Sequence, residues 1–360
     1  MSIYIIVAIL ASLFAQIASM SYDKNKFLFI ISFSLFVLLP SVIEGCRDWN
    51  IGEDMLSYGS YAFYNSLGYN NLFDYLRNYP TKEPGFITIC FFCGKIGPIN
   101  IYMFVVAFIK MMLLGLTCIQ FRKNTIIWLA VLGYMLIFYW YGFSMMRQSL
   151  ALSICLYSAT FLYRKKYISY VVCVLISYLF HNSSVFSILL PLLLYISRFK
   201  NRLSLVVAAT LIVYLSASVL FVSIATSGLF GEEMLDRYED SGTDSPKTLL
   251  LLTAVFLISS LYYKSIYKTT KFFVQANSII ILMLLFLSSY FAASFRVAFY
   301  FIMPMLFLIT CFMKSMEKQT GKLVTSICLV LVYFIHIFIA ASHGLAGTYP
   351  YKSIILNSIF

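Results

Sequence analysis

Apolar residues occur along this chain in long runs that are separated by short polar stretches. Most runs approach the roughly 20 residues that a helix needs to cross the hydrocarbon layer of a bilayer. The hydropathy therefore predicts an all-α polytopic membrane protein with about twelve transmembrane helices. These cover residues 3–20, 27–43, 98–120, 125–141, 146–163, 167–180, 184–197, 203–224, 248–263, 272–290, 296–313 and 323–342.

Two polar segments, 44–97 and 225–247, are too long to be simple turns and are predicted to be outer loops. The first contains the apolar stretch 86–92, which is too short to span a bilayer. Counting it as a span would invert the charge pattern downstream, so we expect a re-entrant or interfacial helix that ends near Gly97. The chain 1–360 then forms a single integral-membrane domain.

The composition excludes a soluble protein. Hydrophobic residues make up 61% of the chain and charged residues only 11%. A soluble domain has about a quarter of its residues charged, so too few charges are present to cover a globule of this length.

The net charge of +12 is unevenly distributed. If the spans alternate, one side carries sixteen of the 26 cations but only two acids, Asp23 and Glu317. By the positive-inside rule this side is cytoplasmic and both termini face outward. The basicity indicates topology, and no nucleic-acid partner is predicted. The cations on this side are Lys24, Lys26, Arg122, Lys123, Arg164, Lys165, Lys166, Arg198, Lys200, Arg202, Lys264, Lys268, Lys271, Lys314, Lys318 and Lys322.

The sequence predicts neither a metal nor a cofactor. Three scattered histidines cannot supply a zinc site, and the Cys90–Cys93 pair lies in an apolar helix where packing is the simpler role. No P-loop or dinucleotide fingerprint is present.

Charged side chains inside the membrane cost about 2.5–3.5 kcal/mol each, so those near span ends are informative. The segment 45–54 places Arg47, Asp48 and Asp54 in a compact turn directly after the second span, and Tyr58 follows. An ordinary solvated loop start would explain this pattern equally well.

Glu83 and Arg147 lie at the starts of two predicted helices on the outer side. Glu83 precedes Pro84, so it could be an acid that favours a helix start. Arg147, followed by Gln148, shares a helix face with the small residues Ala151, Cys155 and Ser158, and such a face should point into the bundle. A salt bridge to a loop acid is the alternative role for Arg147.

Three further places complete the outer set. His181 lies on the predicted hairpin 180–184, where an interfacial hydrogen bond is the alternative role. Arg296 begins a late span with Tyr300 on its face, and the salt-bridge alternative applies there too. Tyr351 lies in the polar C-terminal tail, where an interfacial aromatic anchor is the alternative.

These residue types together favour a sugar-bearing lipid phosphate as the ligand. Arginine forks suit phosphate oxygens, whereas carboxylates with a histidine suit proton abstraction from a hydroxyl. Exposed aromatic rings suit stacking on sugars.

The ordered motifs resemble those of the EpsG family of Wzy-like polymerases of bacterial exopolysaccharide, capsule and O-antigen. The resemblance covers the first 200 residues well, whereas the remainder matches only loosely. It rests on four motifs. The first is the segment 45–58, with Gly45-Cys46-Arg47-Asp48, Gly52-Glu53-Asp54 and Tyr58; the others are Glu83-Pro84-Gly85, Met146-Arg147-Gln148 and Phe180-His181-Asn182-Ser183-Ser184.

The resemblance implies a glycosyltransferase that joins undecaprenyl-pyrophosphate-linked oligosaccharide repeat units without a cofactor. Its site would face the periplasm or exterior of a bacterial cytoplasmic membrane, and a chain-length regulator and a flippase are possible partners. Arg147 and Arg296 would hold pyrophosphate, and His181 or Asp48 would take the acceptor's proton. The remaining substrate-binding candidates, some of which would order the outer loop, are Arg47, Asp54, Tyr58, Glu83, Gln148, Tyr300 and Tyr351.

Two other functions remain open from the sequence. One is an O-antigen-ligase-like or acyltransferase enzyme acting on the same lipid-linked glycan. The other is a flippase or transporter of lipid-linked oligosaccharide, which needs ionisable residues along a two-sided path. Lys110 alone lies near the middle of a predicted span, which counts against a transporter.

Overall fold

Helices form the regular structure of the protein in a computed structural model that describes residues 1–79, 83–226, 246–262, 268–289, 291–353 and 355–356. Within these ranges no residue lies in a β-strand, so the all-α class is confirmed. Most of the second predicted outer loop, 225–247, lies outside the described residues. The helices are α1 (Ser2–Ser21), α2 (Lys26–Cys46), α3 (Ser60–Ser66), α4 (Leu72–Asn78), α5 (Pro84–Ile96), α6 (Ile99–Phe121), α7 (Ile127–Tyr134), α8 (Tyr141–Ser144), α9 (Met146–Tyr163), α10 (Tyr167–Tyr178), α11 (Leu189–Ile196), α12 (Arg202–Thr226), α13 (Pro246–Tyr262), α14 (Lys268–Leu287), α15 (Ala292–Lys314) and α16 (Gln319–Ser342).

Each predicted apolar run contains a helix, but the helices differ in length. Within the described ranges, six are long and apolar enough to cross a membrane: α1, α2, α6, α14, α16 and residues Ser294–Lys314 of α15. The others are shorter or interrupted, as at the π-helical turn Met135–Tyr139 between α7 and α8. The count of twelve spans stays a prediction.

The chain forms two compact units, one of residues 1–185 with 337–360 and the other of 186–336. In the first unit α2 packs against α1 and α6, while α9 packs against α6 and α10. In the second unit α14 packs against α12, α13 and α15. The four outer motifs and the tail belong to the first unit.

The face of α2 that points away from the other helices is apolar and exposed. Phe27, Ile30, Ile31, Leu35 and Leu38 all lie on the surface of the chain. A continuous apolar face of this kind would be a liability in water, whereas acyl chains cover it in a bilayer. The exposure therefore supports a membrane location.

Three of the predicted cytoplasmic loops meet at one end of the first unit. Arg122 Nη2 lies 3.0 Å from Asp23 Oδ1, and Asn124 Nδ2 donates to the Tyr163 hydroxyl at 2.7 Å. These contacts join the ends of α1, α6 and α9. The contacts support the alternation of sides that the charge pattern predicts.

The boundaries of the first outer segment differ from the prediction at one point. Glu44 was expected in the loop, but α2 continues to Cys46 and the Glu44 side chain is fully buried. Hydropathy ends a span at its first acid, whereas here the acid has a buried cationic partner and the helix continues. A short helix is present there as α5, which is 13 residues long and therefore too short to span; its re-entrant or interfacial position stays a prediction.

Cysteine labelling should test the alternation of sides within the first unit. We expect Asn70→Cys, in the first outer segment, to react with a membrane-impermeant maleimide added to intact cells. Lys166→Cys, on the basic side, should react only after the membrane is opened, because loops with excess cations stay cytoplasmic. The unsubstituted protein measures labelling of the native cysteines. Reaction of Lys166→Cys in intact cells would show that the sides are wrongly assigned.

A candidate active site on the outer side of the first unit

The start of α5 is fitted against the turn that follows α10. The Gly85 N–H donates to the Leu179 carbonyl at 2.9 Å, and the Asn182 N–H donates to Glu83 Oε1 at 3.4 Å. A β-carbon at Gly85 would lie 3.0 Å from that same carbonyl oxygen, so glycine permits the close approach. Two motifs that are distant in the sequence, 83–85 and 180–184, are therefore in direct contact.

Glu83 binds both Arg147 and His181 at this contact. Arg147 Nη1 donates to Glu83 Oε2 at 2.6 Å, and His181 Nδ1 lies 2.7 Å from Oε1. Burial by itself would raise the pKa of Glu83, but the hydrogen bond from His181 and the charge of Arg147 outweigh it and lower the pKa. The group is therefore a carboxylate at neutral pH.

The ionised Glu83 determines which nitrogen of His181 carries the proton. A carboxylate only accepts hydrogen bonds, so a neutral imidazole beside it has its proton on Nδ1. The lone pair then lies on Nε2, which has no hydrogen-bond partner among the described residues. About a fifth of the His181 side chain is exposed (21%), so an outside group can reach it.

Arg147 is also held from the side of the first motif. Its guanidinium carbon lies 3.5 Å from the centroid of the Tyr58 ring, which gives a cation–π contact. The Tyr58 hydroxyl donates to the Asp54 carboxylate. Tyr58 lies in the π-helical turn Met55–Gly59, a type of distortion that is frequent at functional sites.

Arg147 still has capacity for another anion. Its Nε is buried and has no hydrogen-bond partner within the described part of the chain. The side chain is 29% exposed. Arginine presents five N–H donors, so a second anion can bind while Glu83 occupies Nη1. Ala151, Cys155 and Ser158 are all buried, as the small-residue face of α9 predicts.

The turn that precedes Arg147 rests on buried charges. Lys110 Nζ lies 2.6 Å from Glu44 Oε1 and donates to the Gly142 carbonyl at 3.3 Å. Arg47 Nη2 donates to the Phe143 carbonyl at 2.8 Å, and Arg47 Nη1 lies 3.7 Å from the same Glu44 oxygen. Glu44 of α2, Lys110 of α6 and Arg47, which directly follows α2, thus hold the chain just before α9.

Two glycines of the first motif permit this close packing. A β-carbon at Gly45 would lie 2.7 Å from the Phe104 β-carbon, and one at Gly52 would lie 2.4 Å from the Phe143 carbonyl oxygen. Gly52 also has a φ of +96°, which side-chain-bearing residues rarely adopt. Next to it the Glu53 N–H donates to Ser144 Oγ at 3.2 Å. The motif therefore supports the turn before Arg147.

The C-terminal tail is attached to the end of α2. The Tyr351 hydroxyl donates to the Ile43 carbonyl at 2.8 Å, and the Asp48 N–H donates to the Lys352 carbonyl at 3.0 Å. The Tyr4 hydroxyl donates to the Thr348 carbonyl at 2.6 Å, so the tail also contacts α1. Tyr351 is buried in this contact.

The structure thus brings together Asp54, Tyr58, Glu83, Arg147 and His181, one or two from each of the four motifs. Arg47 has no exposed surface and contacts the turn before Arg147, while Gln148 and Tyr351 are also buried. Asp48 is half-buried beside the tail. In the second unit Arg296 is exposed and Tyr300 is buried in α15, and their roles in substrate binding stay predictions.

Sequence reasoning missed the support formed by Glu44 and Lys110. The available signal was the pairing of a lone mid-span lysine with an acid at a span end. Across the described residues no three His, Cys, Asp or Glu side chains are grouped as a metal ion would require.

Comparison with known families matches residues 30–353 to the EpsG family. The chain belongs to the EpsG family. EpsG-family proteins are polysaccharide polymerases, so the chain is a membrane protein of polysaccharide biosynthesis. No curated protein and no solved structure gives a significant match.

We expect Glu83→Gln to reduce polymer formation by this EpsG-family protein at least about tenfold, because general acid–base catalysis contributes 10²–10⁴-fold in enzymes. The amide would present only one oxygen, whereas Arg147 and His181 now each bind an oxygen of the carboxylate. Polymer in membranes would be measured by gel electrophoresis at matched protein levels. Glu53→Gln, an exposed acid of the same segment, is the control and should keep its activity. Equal activity of Glu83→Gln and wild type would contradict the assignment.

The buried charges predict an order of stabilities among three variants. Glu44→Gln leaves Lys110 and Arg47 buried without a counter-charge, and breaking a buried pair costs about 3–5 kcal/mol. Lys110→Met should cost much less, because Arg47 still balances Glu44. Adding Lys110→Met to Glu44→Gln should recover part of the loss. Thermal unfolding in detergent would measure the Tm of each variant, and a Lys110→Met Tm below that of Glu44→Gln would contradict the charge balance.

Proposed function

We propose that this EpsG-family protein is a glycosyltransferase that joins undecaprenyl-pyrophosphate-linked oligosaccharide repeat units. The reaction would take place at the outer leaflet of the cytoplasmic membrane. The observation that carries the proposal is the Glu83 carboxylate, which holds a partly exposed arginine and a partly exposed histidine side by side. An arginine fork can bind pyrophosphate oxygens, and a histidine with its lone pair on Nε2 can accept a proton from a sugar hydroxyl.

In the proposed step a hydroxyl oxygen of the acceptor repeat unit attacks the anomeric carbon of the growing chain. The bond from that carbon to the pyrophosphate oxygen breaks, and undecaprenyl pyrophosphate leaves with the bonding electron pair. Nε2 of His181 takes the hydroxyl proton, and Glu83 stabilises the resulting imidazolium. Arg147 binds the pyrophosphate and stabilises the negative charge that develops on it.

His181 is favoured over Asp48 as the base. His181 is oriented by a carboxylate through Nδ1, and this arrangement leaves Nε2 able to accept a proton. Asp48 lies at the contact with the tail, where its N–H donates to the Lys352 carbonyl. Asp48 remains the second candidate for this role.

The contacts of the buried Lys110 count against the transporter alternative. A transporter needs ionisable groups that are available along a path through the membrane. Lys110 was the only such group predicted near mid-span, and its ammonium group is occupied by Glu44 and the Gly142 carbonyl. This pairing supports an enzyme acting at one face. A chain-length regulator and a flippase remain proposed partners.

The proposal is tested with purified protein and a synthetic undecaprenyl-pyrophosphate-linked repeat unit. His181→Gln should lower the polymerisation rate by about two orders of magnitude or more, because an amide cannot take a proton at neutral pH. Arg147→Lys should also lose most activity, since a point charge cannot replace the planar fork on pyrophosphate.

Matched controls come from the same unit. His343→Gln and Arg122→Lys change a histidine and an arginine outside the cluster, and both should polymerise at wild-type rates. An active His181→Gln with an inactive Asp48→Asn would make Asp48 the base. Wild-type activity in Arg147→Lys would mean that Arg147 only pairs with Glu83, and failure of the wild-type protein to polymerise any such lipid would refute the proposed reaction.

A further inference from the structure

A pair of tyrosines lies on the outer segment close to Arg147. The rings of Tyr61 in α3 and Tyr79 at the end of α4 have centroids 6.0 Å apart and are inclined by 41°. Tyr61 is 64% exposed and Tyr79 is half-buried. Neither residue belongs to the cluster around Glu83.

The pair is continuous with the candidate site. Tyr61 follows Tyr58 by three residues, which is one helical turn, and Tyr58 carries the Arg147 guanidinium on its ring. Burial raises the pKa of Tyr79, Tyr61 adds to this rise, and the charge of Arg147 opposes it.

The two rings are held in place by a third tyrosine. The buried Tyr75 hydroxyl donates to the Ala62 carbonyl at 2.6 Å and so joins α4 to α3. The Tyr79 N–H donates to the Tyr75 carbonyl at 2.8 Å, and the rings of Tyr75 and Tyr79 lie 5.5 Å apart. A surface that is already ordered loses little conformational entropy when a ligand binds.

The chemistry of the pair suits a sugar better than an acyl chain. The two rings lie in contact and are inclined to each other, so the pair offers aromatic surface together with two phenol hydroxyls. A pyranose has a face of C–H groups that packs on aromatic rings and a rim of hydroxyls that phenols can bond. Three of the four exposed residues of α4, Asp74, Arg77 and Asn78, are polar, and acyl chains would not solvate them; the fourth is Phe73.

We propose that Tyr61 and Tyr79 form a glycan subsite that binds a sugar ring of the lipid-linked substrate next to the pyrophosphate group on Arg147. This assignment rests on the proposed function for the identity of the glycan. The subsite would position the sugar while Arg147 and His181 act on the bond that reacts. Losing it should therefore weaken binding and leave the chemical step nearly unchanged.

Binding is measured first, without any reaction. The probe is the water-soluble oligosaccharide repeat unit, released from its lipid by mild acid and added to detergent-purified protein. Tyr61→Ala should weaken its binding about tenfold, the effect of losing one aromatic contact, whereas Tyr61→Phe and Tyr79→Phe should retain most of it. Tyr64→Ala is the matched control, because Tyr64 is an exposed tyrosine of the same helix that packs on Phe63 instead.

Turnover is measured second, with the lipid-linked repeat unit as acceptor and a preformed longer chain as donor. Tyr61→Ala should raise KM for one of the two about tenfold with kcat within about twofold of wild type, and the affected substrate identifies which glycan occupies the subsite. A Tyr61→Ala protein that binds the oligosaccharide like wild type, or no more weakly than Tyr64→Ala, would overturn the subsite. Tyrosine-dependent binding without polymer formation would refute the proposed reaction and support the subsite.

Discussion

A single carboxylate, Glu83, determines the geometry of the candidate site. It lies at the start of α5 yet makes no capping bond to that helix, because its two oxygens bind Arg147 and His181. The arginine comes from α9 and the histidine from the turn after α10, and the carboxylate sets both their spacing and the tautomer of the imidazole. Without it, the Arg147 guanidinium would lose its counter-charge and the His181 Nδ1–H would lose its acceptor.

The pairing of buried charges explains the structure beneath this site. Inside a bilayer an unpaired charge is costly, so Lys110 and Arg47 are retained only because Glu44 and the carbonyls of Gly142 and Phe143 accept their hydrogen bonds. Those carbonyls belong to the chain just before Arg147. The same contacts that neutralise the buried charges therefore also position Arg147, the arginine proposed to bind pyrophosphate.

The motifs predicted from sequence divide into two physical roles. Asp54, Tyr58, Glu83, Arg147 and His181 meet in a partly exposed cluster, and their roles at a substrate site stay proposals. Arg47 and Tyr351, predicted to bind substrate, are buried and hold the loop and the tail. Sequence patterns could not separate these roles, because an arginine after a span looks the same whether its side chain points toward solvent or toward Phe143.

The sequence by itself determined the helical class, the approximate helix bounds and the set of polar residues near the ends of the apolar runs. Hydropathy and charge asymmetry depend on local composition, so they can be read without a fold. Only the tertiary structure decided that Glu44 belongs to α2, that Glu83 bridges Arg147 and His181, and that Tyr61 meets Tyr79. These contacts join residues far apart in the chain, and their formation depends on how the helices pack and on which polar groups then lack another partner.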